Sequence, residues 1–184
     1  SFRTAFFILI FSFISQYGFS QNNYNFTTQN NQIEWQKVLE INMTRNEIES
    51  ILKSNGIFKN VNFSENSITG EIENLNADYK GAGISSFYTF FYIQNTTISG
   101  HFIIDFKQGK YRTLLNAINL KTSNDLSGGG INIMSANAVQ PLSYYALKNS
   151  QIRKGFLNSD AKIYDYTFSN LFDFSKYKIK SEDW

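Results

Sequence analysis

Gly100-His-Phe-Ile-Ile-Asp-Phe-Lys-Gln-Gly-Lys-Tyr-Arg-Thr-Leu-Leu-Asn-Ala-Ile-Asn-Leu120 is the stretch on which the fold turns. It reads as two strands around a two-residue turn, Gln108-Gly109. That turn sets Phe106 opposite Tyr111, Asp105 opposite Arg112, Ile104 opposite Thr113 and Phe102 opposite Leu115. Side chains alternate faces along a strand. One face therefore collects Phe102, Ile104, Phe106, Tyr111, Thr113, Leu115 and Ala117. The other collects His101, Ile103, Asp105, Lys107, Lys110, Arg112 and Leu114. Few other registers gather the aromatics and also set Asp105 against Arg112. Such a cross-strand charge pair contributes about 0.2–1 kcal/mol, so it helps fix register more than it stabilises.

Composition sets the frame around this hairpin. A chain of 184 residues suits one domain with a sizeable core. Aromatics make up 17% and charged residues 17%, the opposite of a disordered chain. The net charge is +2, and +1 without Arg3, too little for a general nucleic-acid or anionic-membrane binder. With no cysteine, a disulfide scaffold, a cysteine nucleophile and a thiolate metal site are excluded.

Residues 1–20 have the order of a secretory signal. Arg3 precedes the apolar run Ala5–Ile14, and Gly18-Phe19-Ser20 supplies small residues before a cut at Gln21. The run is about ten residues, too short to span a bilayer, and no later segment is apolar for long enough. Residues 21–32 are mostly Asn, Gln and Thr and read as a linker. The domain is expected over 33–184. Ile33, Trp35, Leu39 and Ile41 alternate as a half-buried strand, with Lys37 out of pattern. Thr44-Arg45-Asn46-Glu47 is a capping box ahead of Ile48, Ile51 and Leu52, with Gly56 placed to end the helix in the left-handed conformation. Val61 and Phe63, then Ile68 and Ile72, mark two strands around Glu65-Asn66. Phe87–Gln94 is aromatic on both faces and predicts an interior strand. Residues 121–141 are a long insertion containing Gly128-Gly129-Gly130. Pro141 opens a short helix through Lys148. Ser159 or Asp160 caps a last helix with Tyr164, Phe168, Leu171 and Phe172 on one face. Lys176, Lys178 and Lys180 place positive charge near its C-terminal end.

The motifs Glu34-Trp35-Gln36-Lys37-Val38, Ile68-Thr69-Gly70-Glu71-Ile72 and Phe106-Lys107-Gln108-Gly109-Lys110-Tyr111-Arg112, with the closing Asp183-Trp184, resemble an uncharacterised family of exported domains from Bacteroidetes. That family is described as having a TATA-binding-protein-like fold. The resemblance covers about Ile33–Leu120 and the final helix. It implies an α+β domain, an antiparallel sheet with helices on one face, in a bacterial cell envelope. It implies no activity, and the fold's name is structural analogy, not evidence of DNA binding.

The chemistry-bearing residues are few. His101 is the single histidine, and no second histidine or cysteine stands ready to share a metal or a proton relay. No Gly-x-Ser-x-Gly elbow is present. Gly128-Gly129-Gly130 is followed by no Gly-Lys-Ser/Thr and is no phosphate loop. Glu71 and Glu73 are explained by a solvated strand face. Lys107, Lys110 and Arg112 beside Tyr111 are suited to a phosphate, carboxylate or sugar acid, or simply guard a strand edge.

The expectation is a non-enzymatic exported binding module without metal or cofactor. Its candidate surface is His101, Ile103, Lys107, Lys110, Arg112 and Leu114. The expected partner is an envelope component or a second copy of the chain, not nucleic acid, with membrane contact through the signal alone. A structural assembly subunit and, last, a carboxylate-dependent hydrolase are the alternatives. Leu126–Val139 is expected to cover Ile103 and Leu114 as a movable lid.

Overall fold

The structure is a computed structural model and describes residues 23–123, 127–128, 131–132 and 137–177. The expected signal at 1–20 and Lys178 and Lys180 lie outside the described residues. The strands are β1 (Phe26–Gln29), β2 (Gln32–Glu40), β3 (Phe58–Phe63), β4 (Ser67–Asn76), β5 (Thr96–Lys107), β6 (Lys110–Thr122), β7 (Ser127–Gly128), β8 (Ile131–Asn132), β9 (Val139–Pro141), β10 (Leu147–Lys148) and β11 (Gln151–Ile152). The helices are α1 (Arg45–Ser54), α2 (Phe91–Gln94), α3 (Leu142–Ala146), α4 (Lys154–Asn158) and α5 (Asp160–Phe172). One antiparallel sheet runs β1-β2-β6-β5-β4-β3, with β9 added beside β6. The fold is α+β, with α1 and α5 packed on one face of that sheet.

The hairpin has the expected register, from Lys107 opposite Lys110 to Phe102 opposite Leu115. Gly109 takes φ +71, a conformation that costs glycine little. Phe102, Ile104, Tyr111, Thr113 and Leu115 are buried. Ala117 departs from the reading. It adopts φ 47 where the β5–β6 register slips, and it is exposed. The extra residue moves the inward phase to Ile118, Leu120 and Thr122. Asn74 and Asn60, also left-handed, mark the corresponding slips in β4 and β3. Asparagine tolerates that conformation better than most residues.

Helix α5 is fixed to the sheet by aromatic packing and by polar bonds at one spacing. Trp35, Phe58 and Phe102 pack against Phe172, and Trp35 also meets Phe168 edge-on at 5.6 Å. Trp35 Nε1 donates to Asp165 Oδ1 at 2.8 Å. Lys37 Nζ donates to Ser169 Oγ at 2.7 Å, which explains the lysine on the inward side of β2. The Tyr111 hydroxyl donates to the Phe172 carbonyl at 2.7 Å and accepts from Phe174 N–H, and burial raises its pKa to about 12. Asp165, Ser169 and Phe172 fall at i, i+4 and i+7, one helix face.

Several local expectations are corrected. Residues 21–32 are not simply a linker. Phe26 is buried, and β1 turns into β2 through Asn30-Asn31, both left-handed as a type I′ turn requires. The capping box of α1 is present, but Gly56 is not left-handed. Asn55 ends the helix instead, its N–H reaching Ile51 O and its Oδ1 accepting from Ile57 N–H. Phe87–Gln94 is not an interior strand. It forms a 3-10 turn at Ser86–Tyr88 and then α2. Only Ile93 of these residues is fully buried among the apolar ones, so aromatic density marks a surface here. The helix after Pro141 stops at Ala146, and Leu147–Lys148 pairs with Gln151–Ile152. The Ser159 hydroxyl does not cap α5, and it lies 2.6 Å from Asp160 Oδ1.

Gly70 sits under the Phe102 ring, where an added Cβ would stand 2.6 Å from Phe102 Cζ. That ring is pinned between Phe58 and Phe172. Gly70→Ala is expected to cost about 1–3 kcal/mol in urea unfolding. Asp160 is buried at the start of α5, and desolvation raises its pKa above the ordinary 3.8 against the opposing hydrogen bonds of Ser159 and Tyr92. The folded state thus holds this proton to higher pH than the unfolded chain. Its contribution to stability is present below pH 3.8 and is lost as pH rises through the raised value. The melting-temperature advantage of Asp160→Asn over wild type should therefore grow as pH rises across that window. A constant difference would contradict the assignment.

Candidate functional site

With both long helices on one side, the other side of the sheet carries the outward residues of β2, β4, β5 and β6. Antiparallel partners share a face, so the register lays it out in rows. Glu40, Lys110 and Lys107 form the row at the hairpin tip. Val38, Arg112, Asp105 and Ser67 form the next, and Gln36, Leu114, Ile103 and Thr69 the one after. Asn116, His101 and Glu71 lie further along.

The first two rows border a cleft of about 770 Å³, lined by Val38, Asp105, Lys107, Lys110 and Arg112 together with Phe106, Gln108 and Tyr111. Arg112 pairs with Asp105 at 2.5 Å and Lys110 with Glu40 at 3.2 Å, all four side chains well exposed. Lys107 has no carboxylate partner among the described residues. Val38 is 56% exposed and supplies an apolar floor beside the cations. Exposed ion pairs of this kind are worth about 0–1 kcal/mol, so a ligand anion can displace either carboxylate at little cost.

The six expected surface residues do not form one site. Lys107, Lys110 and Arg112 gather at the cleft. His101 stands apart in a hollow of about 270 Å³ with Glu71, Glu73, Ser99 and Asn119. Ile103 and Leu114 face each other between the two, half-buried rather than open. Half of the covering segment expected over them, Leu126–Val139, falls outside the described residues. Val139 is described, and it pairs with Lys121 near the far end of β6, so it does not cover Leu114. Among the described residues no group of three His, Asp or Glu is placed to hold a metal ion, and no helix is long and apolar enough to cross a membrane. Val38 is not among the expected surface residues. Its signal is the outward phase of β2, Glu34, Gln36, Val38 and Glu40, where one apolar residue interrupts a polar row.

No family model matches the sequence, and no curated protein matches it. Two solved structures are similar. One is a TBP-like protein from Parabacteroides distasonis, 18% identical, TM-score 0.45, covering 83% of this chain and 98% of that one. The other is a DUF4468 family protein from Bacteroides ovatus, 12% identical, TM-score 0.47, covering 85% of this chain and 94% of that one. The first carries the fold description expected from the sequence motifs, and both come from Bacteroidetes. The fold class itself rests on the sheet order and helix placement described above.

A double-mutant cycle on Asp105 and Arg112 should give a coupling of a few tenths to about 1 kcal/mol, falling as salt is added. A coupling that salt does not change would place the pair in a drier setting than the cleft provides.

Proposed function

We propose that this chain is an exported, non-enzymatic binding module of the cell envelope, and that the cleft at the β5–β6 tip takes an anionic group of its ligand. The observation that carries the reading is Lys107, a cation without a partner among the described residues, beside two cations held only by exposed pairs and an exposed valine. Charge-assisted bonds from Lys107, Lys110 and the planar fork of Arg112 suit a carboxylate or phosphate. Val38 suits the apolar part of the molecule that carries it. Export is supported by the signal pattern in residues 1–20.

Titration with inorganic phosphate and with citrate, followed by amide chemical shifts, tests the cleft. Saturable shifts at Lys107–Arg112 in the millimolar range are expected, weakened by added sodium chloride. Lys107→Glu should weaken them at least about fivefold, or ~1 kcal/mol. Shifts spread evenly over all surface lysines, or unchanged in Lys107→Glu, would remove the cleft from consideration.

A further inference from the structure

Phe87–Gln94, expected as an interior strand, presents exposed aromatics instead. Phe87 is 86% exposed, and Tyr88, Phe90 and Phe91 each expose more than half of their surface. Tyr144 on α3 is 63% exposed. Residues 85–95 contain no charged side chain. Scattered exposed aromatics need no explanation, but a contiguous group of them marks an interaction surface.

Phe90 and Tyr144 line a hollow of about 350 Å³ together with Tyr92 and Tyr145, and Phe87 meets Tyr88 edge-on outside its lining. Tyr92 and Tyr145 stack face to face with centroids 4.0 Å apart and planes 7° from parallel. Phe90 stacks on Tyr92 at 6.1 Å, and Tyr144 meets Tyr145 edge-on at 5.1 Å. The Tyr92 hydroxyl donates to Asp160 Oδ2 at 2.5 Å, which leaves its oxygen able to accept. Arg153 lines the same hollow and uses Nε on the Leu147 carbonyl at 2.7 Å. Its terminal N–H groups make no hydrogen bond to the described residues. The Tyr164 hydroxyl is fully buried without a hydrogen-bond partner among the described residues, within electrostatic reach of Asp160 and Tyr145.

Three occupants compete for such a surface. A membrane interface favours several cations beside the aromatics, and here residues 85–95 have none and Arg153 is the single cation lining the hollow. A quaternary ammonium needs ring faces converging on one point. Here the faces of Tyr92 and Tyr145 are turned on each other, and a guanidinium lines the same hollow. A neutral sugar chain matches both halves. The weakly positive C–H faces of its rings meet the negative faces of exposed aromatics, and its hydroxyls meet mixed donors and acceptors. We propose that this hollow and its aromatic surround bind an uncharged polysaccharide, with Tyr144 and Phe90 as stacking platforms and Tyr92, Asp160 and Arg153 as partners for the sugar hydroxyls.

Native affinity electrophoresis of the purified chain tests this in gels cast with mixed-linkage β-glucan, glycogen or mannan. Wild type should be retarded by at least one of the three relative to a gel without polysaccharide. Phe90→Ala combined with Tyr144→Ala should weaken retardation at least tenfold, and Tyr144→Ala alone should weaken it measurably. Both positions are exposed, so the melting temperature should hold within a few degrees. Lys107→Glu should bind as wild type, which separates this site from the cleft at the hairpin tip. Absence of retardation by all three polysaccharides would overturn the proposal, as would retardation that both tyrosine and phenylalanine changes leave intact. Concentration-dependent self-association in sedimentation, abolished by the same changes, would assign the surface to a second copy of the chain instead.

Discussion

The indole N–H of Trp35 sets the condition the rest of the molecule meets. Trp35 is fully buried on β2, one strand in from the β1 edge, so its single donor must find an acceptor there or cost about 1–3 kcal/mol. Asp165 supplies it, and that fixes how far along β2 the helix α5 sits. Lys37 to Ser169 and Tyr111 to Phe172 then follow at helical spacing. The neutral Tyr111 bond is worth about 0.5–1.5 kcal/mol net and the two with a charged partner about 1.5–3 each, while burying each of the more numerous large rings contributes about 1.5–3 kcal/mol. Burial of Phe102, Phe168 and Phe172 therefore drives docking, and the bonds choose its register. A helix held this firmly on one face leaves the opposite face for contacts of other kinds.

The bulges shape the end of that opposite face away from the hairpin tip. Ala117 interrupts β6 between the part that pairs with β2, ending at Leu115, and the part that pairs with β9, beginning at Asn119. Asn74 and Asn60 interrupt the neighbouring strands. A bulge adds twist and shifts which residues point outward. His101 lies beside the β6 interruption and falls into a hollow with Glu71 and Glu73, away from the tip cations. Alternation runs unbroken from His101 to Lys107 and keeps both on one face with Arg112, so the intervening row of Ile103 and Leu114 separates them, and the bulge beyond His101 shapes its hollow.

The parts of the fold legible in the sequence are those where one local rule acts alone. Gln108-Gly109 fixes the hairpin, Thr44 and Glu47 fix the start of α1, and the spacing of Tyr164, Phe168, Leu171 and Phe172 fixes the face of α5. The misreadings share a cause. β1 has one buried residue among four, too little pattern to separate from polar coil. Ala117 is an alanine in a conformation usually left to glycine or asparagine, so nothing in the residue announces the bulge. Aromatic density at Phe87–Gln94 is equally expected of a core strand and of a binding surface, and only the absence of alternation separates them. Of the candidate site, the three cations were legible because they share a hairpin. Val38 is marked only as the apolar break in a polar row of β2, and Asp160 reaches Tyr92 through a tertiary contact.

The two proposed sites stand at opposite ends of one strand. α2 leads directly into β5 at Thr96, and the tip cleft begins where β5 ends at Lys107. A strand of 12 residues spans roughly 35–40 Å at about 3.3 Å per residue. Several screening lengths of about 8 Å separate the tip cations from the uncharged aromatic surface. The cleft's charge therefore does nothing to attract or repel a ligand at the aromatic end. A single small molecule cannot touch both. An uncharged polysaccharide at the aromatic end and an anionic group at the tip can be held at once, neither altering the other's affinity through charge. The stiffness of β5, bound on both sides by β4 and β6, is what holds that spacing constant.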